Sequence, residues 1–354
     1  MRQSAYTFTS RKKRHPFRTF ILILLSLMLL LALGNFIIGN QLQYLTQKVT
    51  VSYLAADIDG WSILLFSDLH GQQYGAGQSG IASKLGTVRV SSVVFAGDML
   101  GKDGDPSALL ALAALLPSDT PKLYLPGDDD PSYLATGVRG AESPYAEWAQ
   151  QLVDAGITIL DEPVLFTRGK KQQARIWFIP EYLYSLDLNS FVAPYQRTYN
   201  DLHGKEFLTS EEQTKLCIAE YQVARIARIR ESLGSILDSD IQIAVTHVPL
   251  TSSYVREMLA YTSKDTVFSL RNVSLVLAGH LCAGQVRLPG LGAVSVPGYG
   301  SFPADNTISG LGYVSGISQY ISPGLGASST YTIPFRIMNP PAFTYITLTT
   351  RLTQ

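Results

Sequence analysis

The sequence predicts an α/β fold. Three short apolar runs each end in a polar loop: WSILLFSDLHG (61–71), SSVVFAGDML (91–100) and KLYLPGDDD (122–130). Between the second and third lies PSALLALAALL (106–116), of helix-forming composition, with Pro106 where a helix can start. Strand–helix–strand units of this spacing are joined by crossovers, which builds a sheet covered by helices. A chain of 354 residues is long enough for one large domain or two ordinary ones. No internal repeat or low-complexity linker calls for a second.

Taken in order, the chain opens on a basic tail, residues 1–18, with Arg2, Arg11, Lys12, Lys13, Arg14 and Arg18 and no acid. The run TFILILLSLMLLLALGNFII (19–38) follows without a charge. Twenty residues at about 1.5 Å each cover the ~30 Å hydrocarbon core of a bilayer. Residues 19–39 therefore read as a membrane anchor. The run exceeds the roughly 7–15 residues of a signal-peptide core, which favours an uncleaved helix. Basic residues ahead of it place the N-terminus in the cytoplasm and the domain, residues 40–354, outside. The whole chain balances 28 Lys and Arg against 28 Asp and Glu, but beyond residue 18 the basic count falls to 22, a net of −6. An acidic domain argues against nucleic-acid binding, which needs a basic face. Cys217 and Cys282 are the only cysteines, and they imply no disulfide framework.

Further along, SPYAEWAQQLVDAG (143–156) reads as a helix closed by Gly156. Residues 180–208 are polar, aromatic and irregular, the start of an insertion near 181–238. Thr209 and Glu212 then form a capping box for a long helix whose apolar stripe is Leu216, Ala219, Val223, Ile226, Ile229 and Leu233, with Gly234 at its end. IQIAVTHVPL (241–250) and VSLVLAGHLC (273–282) are two more apolar strands, each running into histidine. Residues 284–348, rich in Gly, Pro, Ser and Tyr, suit short strands and ordered loops.

Five strand ends thus carry metal-ligand side chains: Asp68 with His70, Asp98, Asp128 to Asp130, His247, and His280 with Cys282. Sites in α/β sheets form beyond the carboxyl ends of the strands, so these ends are expected to converge. Any one of them alone is an ordinary loop residue; their joint order is the signal. Of the five histidines, His15 belongs to the tail, and His203 follows no apolar strand and reads as structural or exposed.

The order Asp-x-His, Gly-Asp, Gly-Asn-His-Asp/Glu, His, Gly-His-x-His marks the calcineurin-like metallophosphoesterases, and over roughly residues 50–350 the chain resembles that family's membrane-anchored bacterial branch. GHLCAGQVRLPGLG (279–292) is similar to the branch's Gly-His-Thr-His-Gly-Gly-Gln stretch, and residues 320–348 to its Gly-Leu-Gly, Pro-x-Arg and Pro-Pro-Glu signatures. The resemblance implies a four-layer fold, two mixed sheets packed face to face with helices outside. It implies two metal ions, Mn, Zn or Fe. Asp68, His70 and Cys282 would hold the first, Asp98 would bridge, and Asp128, His247 and His280 would hold the second. A hydroxide on the metals would then attack phosphorus in line.

GDDD and GHLC depart from the family pattern. Asp128 stands for an Asn ligand, Asp129 for the catalytic His, and Cys282 for the last His, while Asp130 keeps the usual acidic position. Carboxylate and thiolate both ligate zinc, and thiolate also suits iron. Asp128 and an ionised Cys282 add two negative charges to the ligand set. The site is therefore expected to favour a more highly charged ion or a less anionic substrate such as a phosphodiester. Replacing the catalytic His costs about 10²–10⁴-fold. Asp129 could supply the proton only if it stayed protonated, which nearby cations oppose, so slow hydrolysis or reliance on an outside acid is expected. Lys102 and Arg139 follow site strands but read as solvated. The function expected is that of an anchored phosphoesterase acting on a phosphodiester or phosphomonoester. A lipid-linked substrate suits a domain held at the bilayer. The competing readings are a binding or sensory module that has lost turnover and, more weakly, a structural domain of an envelope assembly.

Overall fold

The computed structural model describes residues 16–39, 41–52, 54–136, 143–169, 174–263 and 266–350. Arg139 and most of the basic tail therefore lie outside the described residues. The apolar run forms helix α1 (Pro16–Gly34) and ends in a π turn, Asn35–Gly39. By length and composition Pro16–Ile37 can cross a membrane, a test that a signal sequence also passes.

The chain continues through β1 (Gln43–Thr50), β2 (Ser62–Phe66), α2 (Ser79–Leu85), β3 (Ser92–Ala96), α3 (Ser107–Ala114), β4 (Lys122–Leu125), α4 (Glu147–Asp154) and β5 (Ile157–Ile159). Next come β6 (Val164–Arg168), β7 (Ala174–Pro180), α5 (Leu188–Leu202), α6 (Ser210–Gly234), β8 (Ile241–Val245), α7 (Ser252–Tyr261) and β9 (Val273–Ala278). Two small hairpins, β10 (Arg287–Leu288) with β11 (Gly292–Ala293) and β12 (Ser295–Val296) with β13 (Gly300–Ser301), precede β14 (Gly310–Val314), β15 (Ile317–Ile321) and β16 (Ala342–Thr349).

Two mixed six-stranded sheets result, in the orders β1-β16-β2-β3-β4-β5 and β14-β15-β9-β8-β7-β6. Side chains alternate across each strand, so a fully buried strand must be apolar on both faces. In β2, Ile63 and Leu65 point between the sheets while Leu64 and Phe66 point to the helices; β3 repeats this with Val94 and Ala96 against Val93 and Phe95. The inner layer is completed from the second sheet by Ile176, Phe178, Ile243, Leu275 and Leu277. Outside, α2, α3 and α4 cover the first sheet through Ile81, Leu109 and Leu152. On the second sheet, α6 sets Ile226 and Ile229 on Trp177 and Ile179, and α7 sets Val255 on Ala244 and Val276. The layers run helix, sheet, sheet, helix.

Three details differ from the sequence reading. The first half of the insertion is not irregular throughout: α5 spans fifteen residues of it. Asp187 caps this helix by accepting from the Asn189 and Ser190 amides, which offsets the interruption by Pro194. The capping box of α6 is present, but its buried face includes Gln222 and Arg225 beside Ala219, Ile226 and Ile229. Arg225 is tolerated there because Asp161 pairs with it at 3.1 Å. Finally, the C-terminal region is not confined to short strands, since β16 inserts between β1 and β2. Cys217 and Cys282 are both free thiols.

Candidate metal centre

Strands β2, β3 and β4 run parallel in one sheet and β8 and β9 parallel in the other, and the loops at their carboxyl ends meet. Backbone hydrogen bonds tie the loops together: Asp68 N to Gly97 O (3.0 Å), His70 N to Asp98 O (2.9 Å) and Gly279 N to His247 O (2.9 Å). Two glycines allow this closeness. A Cβ at Gly127 would lie 2.0 Å from Asp98 Oδ1, and one at Gly97, whose φ is +84°, would lie 2.3 Å from His247 Nδ1.

The ligand-type side chains converge in three groups whose donor atoms lie within 4.8 Å of one another: Asp98, Asp128, His247 and His280; Asp68, His70 and Cys282; and His70, Asp98 and Asp129. All seven residues expected as ligands are thus brought together, and Asp129 joins them. Asp98 belongs to two groups and joins the halves. Asp68, His70, Asp98, His280 and Cys282 all have left-handed backbone, with φ from +45° to +70°. For a non-glycine residue this costs roughly 1–2 kcal/mol. Strain of this kind gathers at functional sites, where the surroundings hold it for a purpose.

The histidines are set for ligation. His247 Nδ1 donates to Ala96 O at 2.8 Å, which fixes the ring and turns Nε2 onto Asp98 Oδ2 and Asp128 Oδ1, each at 2.9 Å. His280 presents Nδ1 to Asp128 Oδ1 at 3.1 Å and to His247 Nε2 at 3.3 Å. His70 Nε2 is buried without a hydrogen-bond partner, 4.0 Å from Asp98 Oδ2. An orphaned buried nitrogen aimed at a carboxylate is what a ligand atom looks like without its ion. The donor set of carboxylate, imidazole and thiol is one that can hold a metal ion.

The three consecutive aspartates point three ways. Asp128, its side chain 47% exposed, faces the two histidines, whose hydrogen bonds, His247 first, hold its carboxyl far below the usual range. Asp129 stands at the rim, its side chain 35% exposed and Oδ2 3.9 Å from His70 Nδ1. Burial, then the nearby Asp98 charge, pushes the Asp129 carboxyl up. Asp130 turns away to brace the loops. Its carboxylate accepts from the amides of Asp98 (2.8 Å), Leu100 (3.1 Å) and Gly127 (2.8 Å) and from the Tyr124 hydroxyl (2.5 Å).

Burial opposes charge on His247, but the hydrogen bonds to Asp128 and Asp98 outweigh it and the pKa rises well above the ordinary value; His280 rises too, chiefly through Asp128. A raised pKa means the metal-free chain holds these protons more tightly, and a metal must displace them. Affinity for Zn or Mn should therefore fall as the pH is lowered from about 8 to 5.5. Chelator-buffered titrations would read this, and a pH-independent affinity would contradict it. The stability these protons lend the metal-free chain is fully present below about 6.5, the unfolded value, and is lost as pH rises through the folded value.

Around this centre, the buried Cys282 thiol is pushed well above its ordinary pKa by desolvation, then by the Asp68 charge. Its loop is held by Asn339, which donates to Cys282 O at 2.8 Å. The Arg336 guanidinium fastens the same region, donating to the carbonyls of Asn339 (2.9 Å), Gly326 (2.8 Å) and Pro323 (3.0 Å). Arg336 is the arginine of the Pro-x-Arg signature, with no role read for it from sequence, and Asn339, in the same stretch FRIMNPP (335–341), was not singled out. Met338 in this loop donates its amide to Asn35 Oδ1 at 2.8 Å, tying the end of the apolar helix to the domain. Lys102 is exposed, and His203, exposed just past the end of α5, stacks on Tyr199.

No family model matches the chain, and no curated protein matches it. Among solved structures it is similar to the phosphopantetheinyl hydrolase PptH from Mycobacterium tuberculosis, at 16% identity and a TM-score of 0.35, over 75% of this chain and 89% of that one.

Proposed function

We propose that the chain is a calcineurin-like metallophosphoesterase that hydrolyses a phosphoric ester, anchored in the cell membrane by α1 with the folded domain on the extracytoplasmic side. The observation that carries this reading is the shared position of Asp98 between two groups of donors, beside a buried and unpartnered His70 Nε2. One ion would be held by Asp68, His70, Asp98 and Cys282, the other by Asp98, Asp128, His247 and His280. When bound, such ions supply a nucleophile from water at neutral pH and neutralise charge on the phosphoryl oxygens.

The chain's own residues do the rest. Ala96 O orients His247, and Asp130 holds the Asp98 backbone in place. Asp128 and Cys282 bring extra negative charge, which disfavours a doubly ionised monoester and leaves a phosphodiester as the better substrate. Asp129, at the open rim, gives the leaving oxygen its proton. A second reading, a binding module without turnover, is favoured by one feature: Asp129 lacks the positive charge with which a histidine would meet the phosphoryl group.

Hydrolysis of bis-p-nitrophenyl phosphate with added Mn, Zn or Fe, alongside elemental analysis, separates the two. Turnover that disappears in Asp98→Ala supports the enzyme. Stoichiometric metal with no release of nitrophenolate under any of the ions supports the module instead.

A further inference from the structure

An apolar cavity of about 480 Å³ opens beside the candidate metal centre, and Asp128 and His247 form part of its wall. Much of the rest is hydrocarbon. Leu125 comes from the end of β4, Leu160 follows β5, and Leu186 and Phe191 come from the insertion. At the rim, Val248 is 49% exposed and Tyr182 39%.

The charged groups in the wall are committed elsewhere. Apart from His247 of the candidate centre, Arg225 is the only lining cation among the described residues. It donates to Gln222 Oε1 (2.8 Å), Asp161 O (2.9 Å) and the Tyr182 hydroxyl (2.5 Å), besides its ion pair with Asp161. Four of its five N–H groups are taken and the residue is 2% exposed, so it is poorly placed to meet a second phosphate or a nucleotide. Glu181 is 8% exposed and accepts from the Tyr254 hydroxyl at 2.8 Å, so it is engaged within the fold. A cavity of this size, apolar and without free charge, is built for a hydrophobic group.

We infer that the cavity takes an aliphatic chain of the substrate, so that the ester cleaved at the metal centre is amphiphilic, with phosphate over the metals and hydrocarbon between Phe191, Leu186 and Val248. This rests on the hydrolase reading for the chemistry but not for the binding. An anchored domain meets such molecules at the membrane surface, where they are concentrated.

The test is a series of p-nitrophenyl alkyl phosphates from methyl to hexyl, run on the full-length, metal-loaded protein. The same protein is titrated with methylphosphonate and hexylphosphonate. Burying each added methylene should raise kcat/KM about fourfold. Hexylphosphonate should bind at least tens of times more tightly than methylphosphonate. Phe191→Asp should flatten both trends, and Val248→Asp, at an exposed position, serves should that first variant fail to fold. Cleavage with no dependence on chain length, together with equal phosphonate affinities, overturns the cavity assignment and leaves the hydrolase standing. No cleavage of any ester, with hexylphosphonate still bound more tightly and that preference lost in either variant, removes the hydrolase and upholds the cavity.

Discussion

Replacing Asp98 with alanine is expected to lower phosphodiester hydrolysis by roughly 10³-fold or more and to lower metal content at both positions together. No other side chain has the same reach, since Asp98 alone among the described residues joins the His247–His280–Asp128 group to the His70 side. It is 2% exposed, and its Oδ1 also accepts the Asp129 amide at 2.9 Å. Removing it therefore also frees the Asp129 loop and strips His247 of one of two carboxylate partners. Asp98→Asn keeps an acceptor for that amide but lacks the charge that holds two cations together. If the loss reflects the missing charge, the asparagine variant should fall nearly as far as the alanine while melting close to the parent. An asparagine variant with full activity and full metal would refute the bridging role.

Asp130→Ala should have the largest effect on stability, about 3–5 kcal/mol. Four donors converge on this one carboxylate, three of them backbone amides from two different loops. Hydrogen bonds to a charged acceptor contribute about 1.5–3 kcal/mol each, though not additively. Alanine leaves these donors without a partner, in a space that small waters can fill only in part. Asp130→Asn retains one acceptor oxygen and should cost clearly less. Urea unfolding of metal-free protein reads both; a midpoint for the alanine variant within experimental error of the parent would show that solvent satisfies the donors. Because Asp98 N is one of the four, metal affinity should weaken alongside stability.

Much of this architecture was legible in the sequence because the ligand strands are buried on both faces. Runs such as SILLF and SVVFA have no polar face to present, so their character survives whatever packs around them. The ligands at their ends were legible for a related reason: the loop after a parallel strand opens toward the site. The division of labour within Asp128, Asp129 and Asp130 came only from the resemblance, since three identical side chains in a row carry no information about direction. That is set by the Gly127 turn and by the amides waiting for Asp130. Helix α5 was missed because Pro194 and its run of Tyr, Asn and Asp obscure a helical pattern that the Asp187 cap and packing on α6 rescue. The pairing of β16 with both β1 and β2 joins residues about 300 positions apart in the chain, which only tertiary packing decides. The apolar cavity drew on five separate segments and had no sequence signature at all.

The contact between Asn35 and Met338 makes the apolar helix something other than a passive tether. From Asn35 the connection runs through Met338 to Asn339, and from Asn339 to the carbonyl of Cys282, so two hydrogen bonds and one peptide link separate the root of the helix from the thiol. A version of the protein trimmed to begin at Gln43 would keep every candidate ligand yet leave the Met338 amide without its acceptor. Solubilising the domain in this way would loosen the cysteine end of the cluster, and a trimmed sample that loses metal readily should be read as missing a buttress rather than a ligand.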